Sequence, residues 1–189
     1  MKAKCIENKK ASLPKEVLGD RFHLYQDFSL IIDQEYTVYA IREINNHIWY
    51  CICDEDFISH PNWNPSPLFE ITDPQLSQYW IFSFEKSGTK MTPIISFPQW
   101  ANDPTFYSEL VEASSSDQTA IAFNNYKELM DLEFPDASIT CIAEVGDAEW
   151  LICPKCLDGW KSSNNRIGMV RCPNCKEILK NPRYLSSSH

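Results

Sequence analysis

The chain has 189 residues, of which 43% are hydrophobic, 13% aromatic and 23% charged, with five glycines and twelve prolines. That composition excludes a chain disordered over its bulk, and no run of residues is long and apolar enough for a transmembrane helix. Seventeen basic against twenty-six acidic residues give a net charge of −9, spread unevenly: residues 1–150 sum to −14 and residues 151–189 to +5. An acidic body repels phosphate backbones and attracts basic proteins, so most of the chain is not built for nucleic acid.

In chain order, the first twenty residues read as a loose arm. Their charges have no apolar stretch behind them as a secretory signal would, which makes the cytoplasm the expected location and gives no reason for a membrane. FSLII at 28–32 is a short apolar run suited to a strand. EYTVYAIREI, a turn at Asn45-Asn46 and HIWYCIC then read as a β-hairpin. Its strands are β-branched and aromatic, and both faces are apolar enough to sit inside the fold. Residues 54–67 carry three prolines and three consecutive acids and read as loop.

PLFEIT and YWIFSFEKS are further strands, the second turning at Ser87-Gly88 into PIISF. Asp103-Pro104 then has the pattern of a helix start, with Phe106, Tyr107, Leu110 and Val111 on one face. SSSD links to a second helix over about 118–133, with Ala122, Tyr126, Leu129 and Met130 as its stripe and Pro135 ending it. SITCIAEV and AEWLICP read as two more strands. The expected class is therefore α+β: an antiparallel β-rich domain with two helices, its opening strands suggesting an SH3-like barrel, plus a C-terminal zinc ribbon. The expected boundaries are 1–148 for the acidic α+β domain, 149–185 for the ribbon and 186–189 for a disordered tail.

The ribbon is the sharpest motif. Cys153-Pro-Lys-Cys156, then fifteen intervening residues, then Cys172-Pro-Asn-Cys175 give the two-knuckle spacing of a Cys₄ zinc site. Two thiolates three positions apart on a tight turn can face one ion, and Pro154 and Pro173 restrain each turn. Four sulfurs fill a tetrahedral ion, leaving no position for water or substrate, so one structural Zn²⁺ per chain is expected. Leu157 and Lys176 stand where glycine commonly follows the second cysteine, which points to some strain in each knuckle. A segment this short cannot bury enough apolar area without such a staple. Trp150, Leu151, Ile152, Trp160, Ile167 and Val170 are its expected core. Cys5, Cys51, Cys53 and Cys141 could hold a second metal, although such cysteines are more often small buried hydrophobes.

Residues 1–135 resemble a group of small, mostly uncharacterised bacterial proteins. The resemblance rests on Cys5-Ile6, Leu13-Pro14, Tyr36 to Tyr39, Trp49 to Asp54, Pro65 to Glu70, Tyr79-Trp80 and Tyr126 to Asp131. Size and acidity liken that group to toxin-immunity proteins, and the resemblance brings no catalytic residues with it. It implies a binding protein that neutralises a basic partner, a toxin domain such as a nuclease.

No nucleotide-binding glycine motif, nucleophile elbow or HExxH pair occurs. The best catalytic candidates, Asp54 and His60, sit in the acidic loop, where a solvated surface is the commoner reading, so no enzyme is expected. Asp54, Glu55 and Asp56 would form the rim of a partner surface, with Phe57 and Trp63 as aromatic anchors. The alternative is an adaptor whose ribbon touches nucleic acid weakly through Lys161, Arg166, Arg171, Lys176, Lys180 and Arg183.

Overall fold

A computed structural model describes residues 1–19, 27–55, 60–87, 89–114, 116–136, 138–147 and 149–184. The chain is α+β and divides into two compact units, Met1–Lys127 and Glu128–His189. The expected tail at 186–189 and the turn residue Gly88 lie outside the described residues.

In the first unit, β1 (Lys2–Cys5), β2 (Glu35–Thr37) and β6 (Phe69–Asp73) form an antiparallel sheet in the order β2-β1-β6. The opening residues are thus not a loose arm: β1 is the central strand, with Met1, Ala3 and Cys5 buried in the core. A second antiparallel sheet contains β3 (Ala40–Ile44), β4 (His47–Ile52), β5 (Asn62–Pro65), β7 (Ile81–Ser87) and β8 (Lys90–Ser96), in the order β5-β4-β3-β8-β7. Neither sheet closes, so the SH3-like barrel is not formed. The chain instead changes sheets in mid-strand.

That change explains why EYTVYAIREI is apolar on both faces. β2 and β3 are one extended run that breaks at Val38 and Tyr39. The Val38 amide donates to the Met1 carbonyl at 3.1 Å, and the Tyr39 amide donates to the Cys51 carbonyl at 2.8 Å. Residues 36–40 are buried throughout. The Asn45-Asn46 turn has φ of 54° and 61°, the left-handed pair that a two-residue hairpin needs and that Asn tolerates better than most residues.

Three expected elements differ. FSLII is irregular, held by the Phe28 amide donating to the Asn8 carbonyl and Asn8 Nδ2 donating to the Leu30 carbonyl; Leu30 is buried and Phe28 packs against the core, while Ile31 and Ile32 are exposed. The proline-rich loop contains β5, an edge strand whose Pro65 ends its pairing with Trp49. Of SITCIAEV only Glu144–Val145 is a strand, with an isolated bridge at Ile142.

The helices are α1 (Lys15–Leu18), α2 (Pro98–Ala101), α3 (Phe106–Glu112) and α4 (Gln118–Glu133). Asp103 makes the turn before α3 rather than its cap: its Oδ1 accepts from the Thr105 amide and hydroxyl at 2.9 and 2.8 Å. Around these helices Phe97 stacks on Tyr126 at 4.2 Å, and Trp100 stacks on Phe106 and Tyr107 at 5.5 and 5.7 Å. Phe97, Trp100 and Phe123 are completely buried, and such aromatics dominate core energetics. The inward stripe of α4 is Ala120, Phe123 and Met130, while Leu129 is exposed.

The second unit holds β9 (Glu144–Val145), β10 (Trp150–Ile152), β11 (Gly159–Lys161), β12 (Met169–Arg171) and β13 (Ile178–Lys180). They pair as β11-β10-β9 and β12-β13, all antiparallel. Its core is Ala143, Leu151, Val170 and Leu179 around Cys153 and Cys172, with Cys141, Trp160 and Ile167 against it. Strand alternation turns Leu151 inward and Trp150 outward, so Trp150 is 43% exposed rather than a core residue. Among the described residues no helix is long and apolar enough to cross a membrane.

Gly168 marks the tightest approach in this unit. Its amide donates to the Glu133 carbonyl at 2.6 Å, and its own carbonyl accepts from the Asn181 amide at 2.9 Å. A Cβ there would lie 2.7 Å from the Phe134 carbonyl carbon and closer still to Pro135, backbone that cannot swing away. Gly168→Ala is expected to lower stability by about 1–3 kcal/mol, as overpacking does, read as a lower midpoint in denaturant unfolding of the metal-loaded protein.

Candidate metal centre and acidic surface

Each pair of cysteines sits on a turn that caps one hairpin, and the two turns repeat the same bonding. The Leu157 amide donates to the Cys153 carbonyl and the Lys176 amide to the Cys172 carbonyl, at 2.8 and 3.0 Å. The Cys153 and Cys172 amides donate to the carbonyls of Asp158 and Glu177, both at 2.9 Å. Two copies of one turn, on β10–β11 and on β12–β13, therefore present two sulfurs each.

The four Sγ atoms lie within 4.8 Å of one another, with Cys153–Cys175 and Cys156–Cys172 both at 3.6 Å. A disulfide would need about 2.05 Å. Tetrahedral coordination at a metal–sulfur bond of about 2.3 Å spaces sulfurs about 3.8 Å apart, close to what is seen. The four cysteines can hold a metal ion, with Cys153 and Cys172 buried beneath and Cys175 exposed. Beside them, Lys155 pairs with Glu177 at 2.6 Å, and Lys176 Nζ donates to the Pro173 carbonyl.

Leu157 and Lys176 both have φ of 62°. The strain expected from the absence of glycine is present in both turns. Left-handed backbone costs a residue with a Cβ about 1–2 kcal/mol.

The thiols are not equivalent when metal-free. A hydrogen bond from the Asp158 amide, helped by the neighbouring sulfurs, brings Cys156 down to about 7. The Glu177 amide pulls Cys175 down likewise, but desolvation and the other three sulfurs together push it up to about 12. Metal must displace those protons, so its affinity falls as pH falls.

The other cysteines do not join this centre. Cys5 and Cys51 are buried; Cys5 Sγ donates to the Glu7 carbonyl, and burial pushes the Cys51 thiol well up. Cys141 packs against the core of the second unit. Among the described residues no other group of three or more His, Cys, Asp or Glu side chains is close enough to hold an ion.

The expected partner surface is divided. Asp54 is buried, its Oδ2 accepting from Asn62 Nδ2 at 3.3 Å, while Glu55 is exposed. Asp56 and Phe57 lie outside the described residues. Trp63 is half-buried on β5, 5.8 Å from both Trp100 and Tyr107, with the Arg42 guanidinium 5.2 Å over its ring. It is part of the aromatic core. His60 is half-exposed.

One acidic feature escaped the sequence reading. An open hollow of about 290 Å³ is lined by Glu109, Glu112, Ala113, Asp117 and Thr119. These acids come from the end of α3 and the start of α4, two segments that read separately as a helix end and a cap. Glu109 accepts from the Thr119 hydroxyl and shares the one Thr105 hydroxyl proton with Asp103, and Asp117 accepts from the Ser114 amide, which holds these two carboxylates without neutralising them.

The division into units also redraws the charge map. Met1–Lys127 carries seventeen acids and ten bases, a net of −7; Glu128–His189 carries nine acids and seven bases, a net of −2. The cationic ribbon of the sequence reading thus shares its unit with seven acids from residues 128–150. Arg183 is committed as well, donating to the Ser162 and Trp150 carbonyls at 2.6 and 3.0 Å.

No family model, no curated protein and no solved structure matches the chain. The likeness of residues 1–135 to toxin-immunity proteins therefore has no support from these comparisons.

Two outcomes are expected at the metal centre. Leu157→Gly and Lys176→Gly should each raise the stability of the metal-loaded protein by about 0.5–1 kcal/mol, the relief of left-handed strain less glycine's entropy cost. Leu157, 77% exposed, forfeits almost no packing in the exchange, and unfolding midpoints check both variants. Transfer of the metal to a competing chelator should be more extensive at pH 6 than at pH 8, followed by the chelator's absorbance.

Proposed function

We propose that this chain is a non-catalytic binding protein whose acidic first unit engages a basic protein, and whose second unit is held together by one structural zinc ion. An all-thiolate tetrahedral set suits zinc and leaves no open position for chemistry. In a segment with so small a core, the ion's role is to hold Cys153, Cys156, Cys172 and Cys175, and with them two hairpins, in place.

The observation that carries the binding reading is the hollow lined by Glu109, Glu112 and Asp117. Glu109 and Asp117 are held there by neutral hydroxyl and amide donors, so a lysine or arginine from outside would complete the hollow. The first unit's charge of −7 would steer such a partner. A toxin domain blocked by its immunity protein is the form of this reading that the bacterial resemblance suggests. Glu55 would extend the surface, and Trp63 supports it from within the core rather than anchoring the partner.

One observation favours a second reading, an adaptor touching nucleic acid. Trp150 is exposed on the outer face of β10, directly opposite Lys161. A base could stack there. The net −2 of this unit opposes it, which places it second.

Metal analysis of the purified chain should find about one zinc per chain. Retention of cellular proteins on the immobilised chain at low and high salt tests the rest. One basic protein should be held at low salt, released at high salt, and lost from Glu109→Lys and Glu112→Lys. Nucleic acid alone, or a partner indifferent to both substitutions, would overturn the reading.

A further inference from the structure

Among the described residues, β7 is the last strand of its sheet and pairs only with β8. Among the described residues, no backbone hydrogen bond joins 81–87 to any other segment. Edge strands are usually short, bulged, charged or covered, because a bare row of N–H and C=O groups recruits another strand. β7 is seven residues long, and its pairing with β8 runs without a register shift.

Alternation puts Phe82, Phe84 and Lys86 on one face of β7. Phe82 and Phe84 are 61% and 49% exposed and meet edge-on at 5.0 Å. Their partners on β8 are Ile95 and Pro93, and Met91, opposite Lys86, is exposed too. An apolar stripe thus runs beside an open backbone edge.

Charge selects what covers it. The hairpin carries Glu85, Lys86 and Lys90. The Glu85 side chain is only 13% exposed, with Oε2 3.2 Å from Arg42 Nη1, so its charge is already matched. A basic partner would meet two lysines and no available carboxylate. A second copy of the same strand can instead set each Lys86 over an exposed phenylalanine ring.

We propose that β7 pairs antiparallel with β7 of a second copy of this chain, about a two-fold axis at Phe84, making one ten-stranded sheet across a dimer. In this register Phe84 faces its own copy. Phe82 faces the second copy's Lys86, whose ammonium can lie over the ring. Moving the axis one residue toward the C-terminal end sets Glu85 against Glu85. Moving it one residue the other way sets Glu85 against Ile81. The open edge, the aromatic stripe and the charges agree on one arrangement. The association is reversible, so the dimer dissociates on dilution.

This inference does not depend on the basic-partner reading, because mass rather than partner retention reports it. Sedimentation of the intact metal-loaded chain from about 1 to about 200 µM should show the mass rising from 21.9 kDa toward twice that value. Phe84→Lys sets like charges on the axis and should weaken dimerisation at least about tenfold. A wild-type chain that stays monomeric throughout, or a Phe84→Lys variant that dimerises equally well, would overturn the proposal. Should Phe84→Lys fail to fold, cysteine cross-linking decides. Residues directly opposite across antiparallel strands lie about 4.5–5.5 Å apart, within disulfide reach. Oxidised Phe84→Cys should therefore form a reducible dimer above the wild-type background, while Phe82→Cys, opposite Lys86, should not. Equal cross-linking of the two, or none of either, refutes the register.

Discussion

Residues 36–40 are buried on every side, and the first unit is organised around that constraint. A strand flanked by water on one face can stay in one sheet. This one is apolar on both faces, so two layers must cover it. The chain meets the demand by handing the strand over: Tyr36 and Thr37 belong to the sheet built on β1, Ala40 onward to the sheet built on β4, and the amides of Val38 and Tyr39 bond one to each side. Once that crossing is set, Met1 and Ala3 are drawn into the core and β1 becomes central. Among the described residues the five-stranded sheet is open at both ends, at β5 and at β7.

The second unit answers a different shortage. Its apolar core, mainly Ala143, Leu151, Val170 and Leu179, is small for the chain it must order. Sulfur makes up the difference. Two turns of identical bonding bring four cysteines within reach of one ion, and they do so at the cost of left-handed backbone at Leu157 and Lys176. A metal held by the four thiolates would outweigh that strain many times over. Trp150 and Trp160 show how finely alternation sorts a three-residue strand pair: the neighbours Trp150 and Leu151 face opposite ways, and Trp160, opposite Leu151, follows it inward.

Acidic charge has two meanings in this molecule. Asp54 and Glu85 are drawn inward and given partners, Asn62 and Arg42, so they serve the fold. Glu109 and Asp117 are held by neutral donors and keep their field for whatever approaches. A run of three acids, 54–56, looks in sequence like a stronger partner surface than acids spaced at 109, 112 and 117. Burial reverses that ranking, because a carboxylate enclosed beside an amide offers little to a partner while three on an open hollow offer much.

The sequence alone determined whatever depends on spacing along the chain. The two Cys-x-x-Cys knuckles, their missing glycines, the Asn-Asn hairpin and the span of α4 are local matters, decided by a few consecutive residues and by backbone preferences that hold in any context. Tertiary structure decided whatever depends on which surfaces meet. Whether the first residues are arm or central strand, whether FSLII pairs, whether Trp63 faces solvent or core, and which acids share a hollow are set by partners far away in sequence. Periodicity reports only that a face is apolar. What covers it is fixed when the whole chain packs.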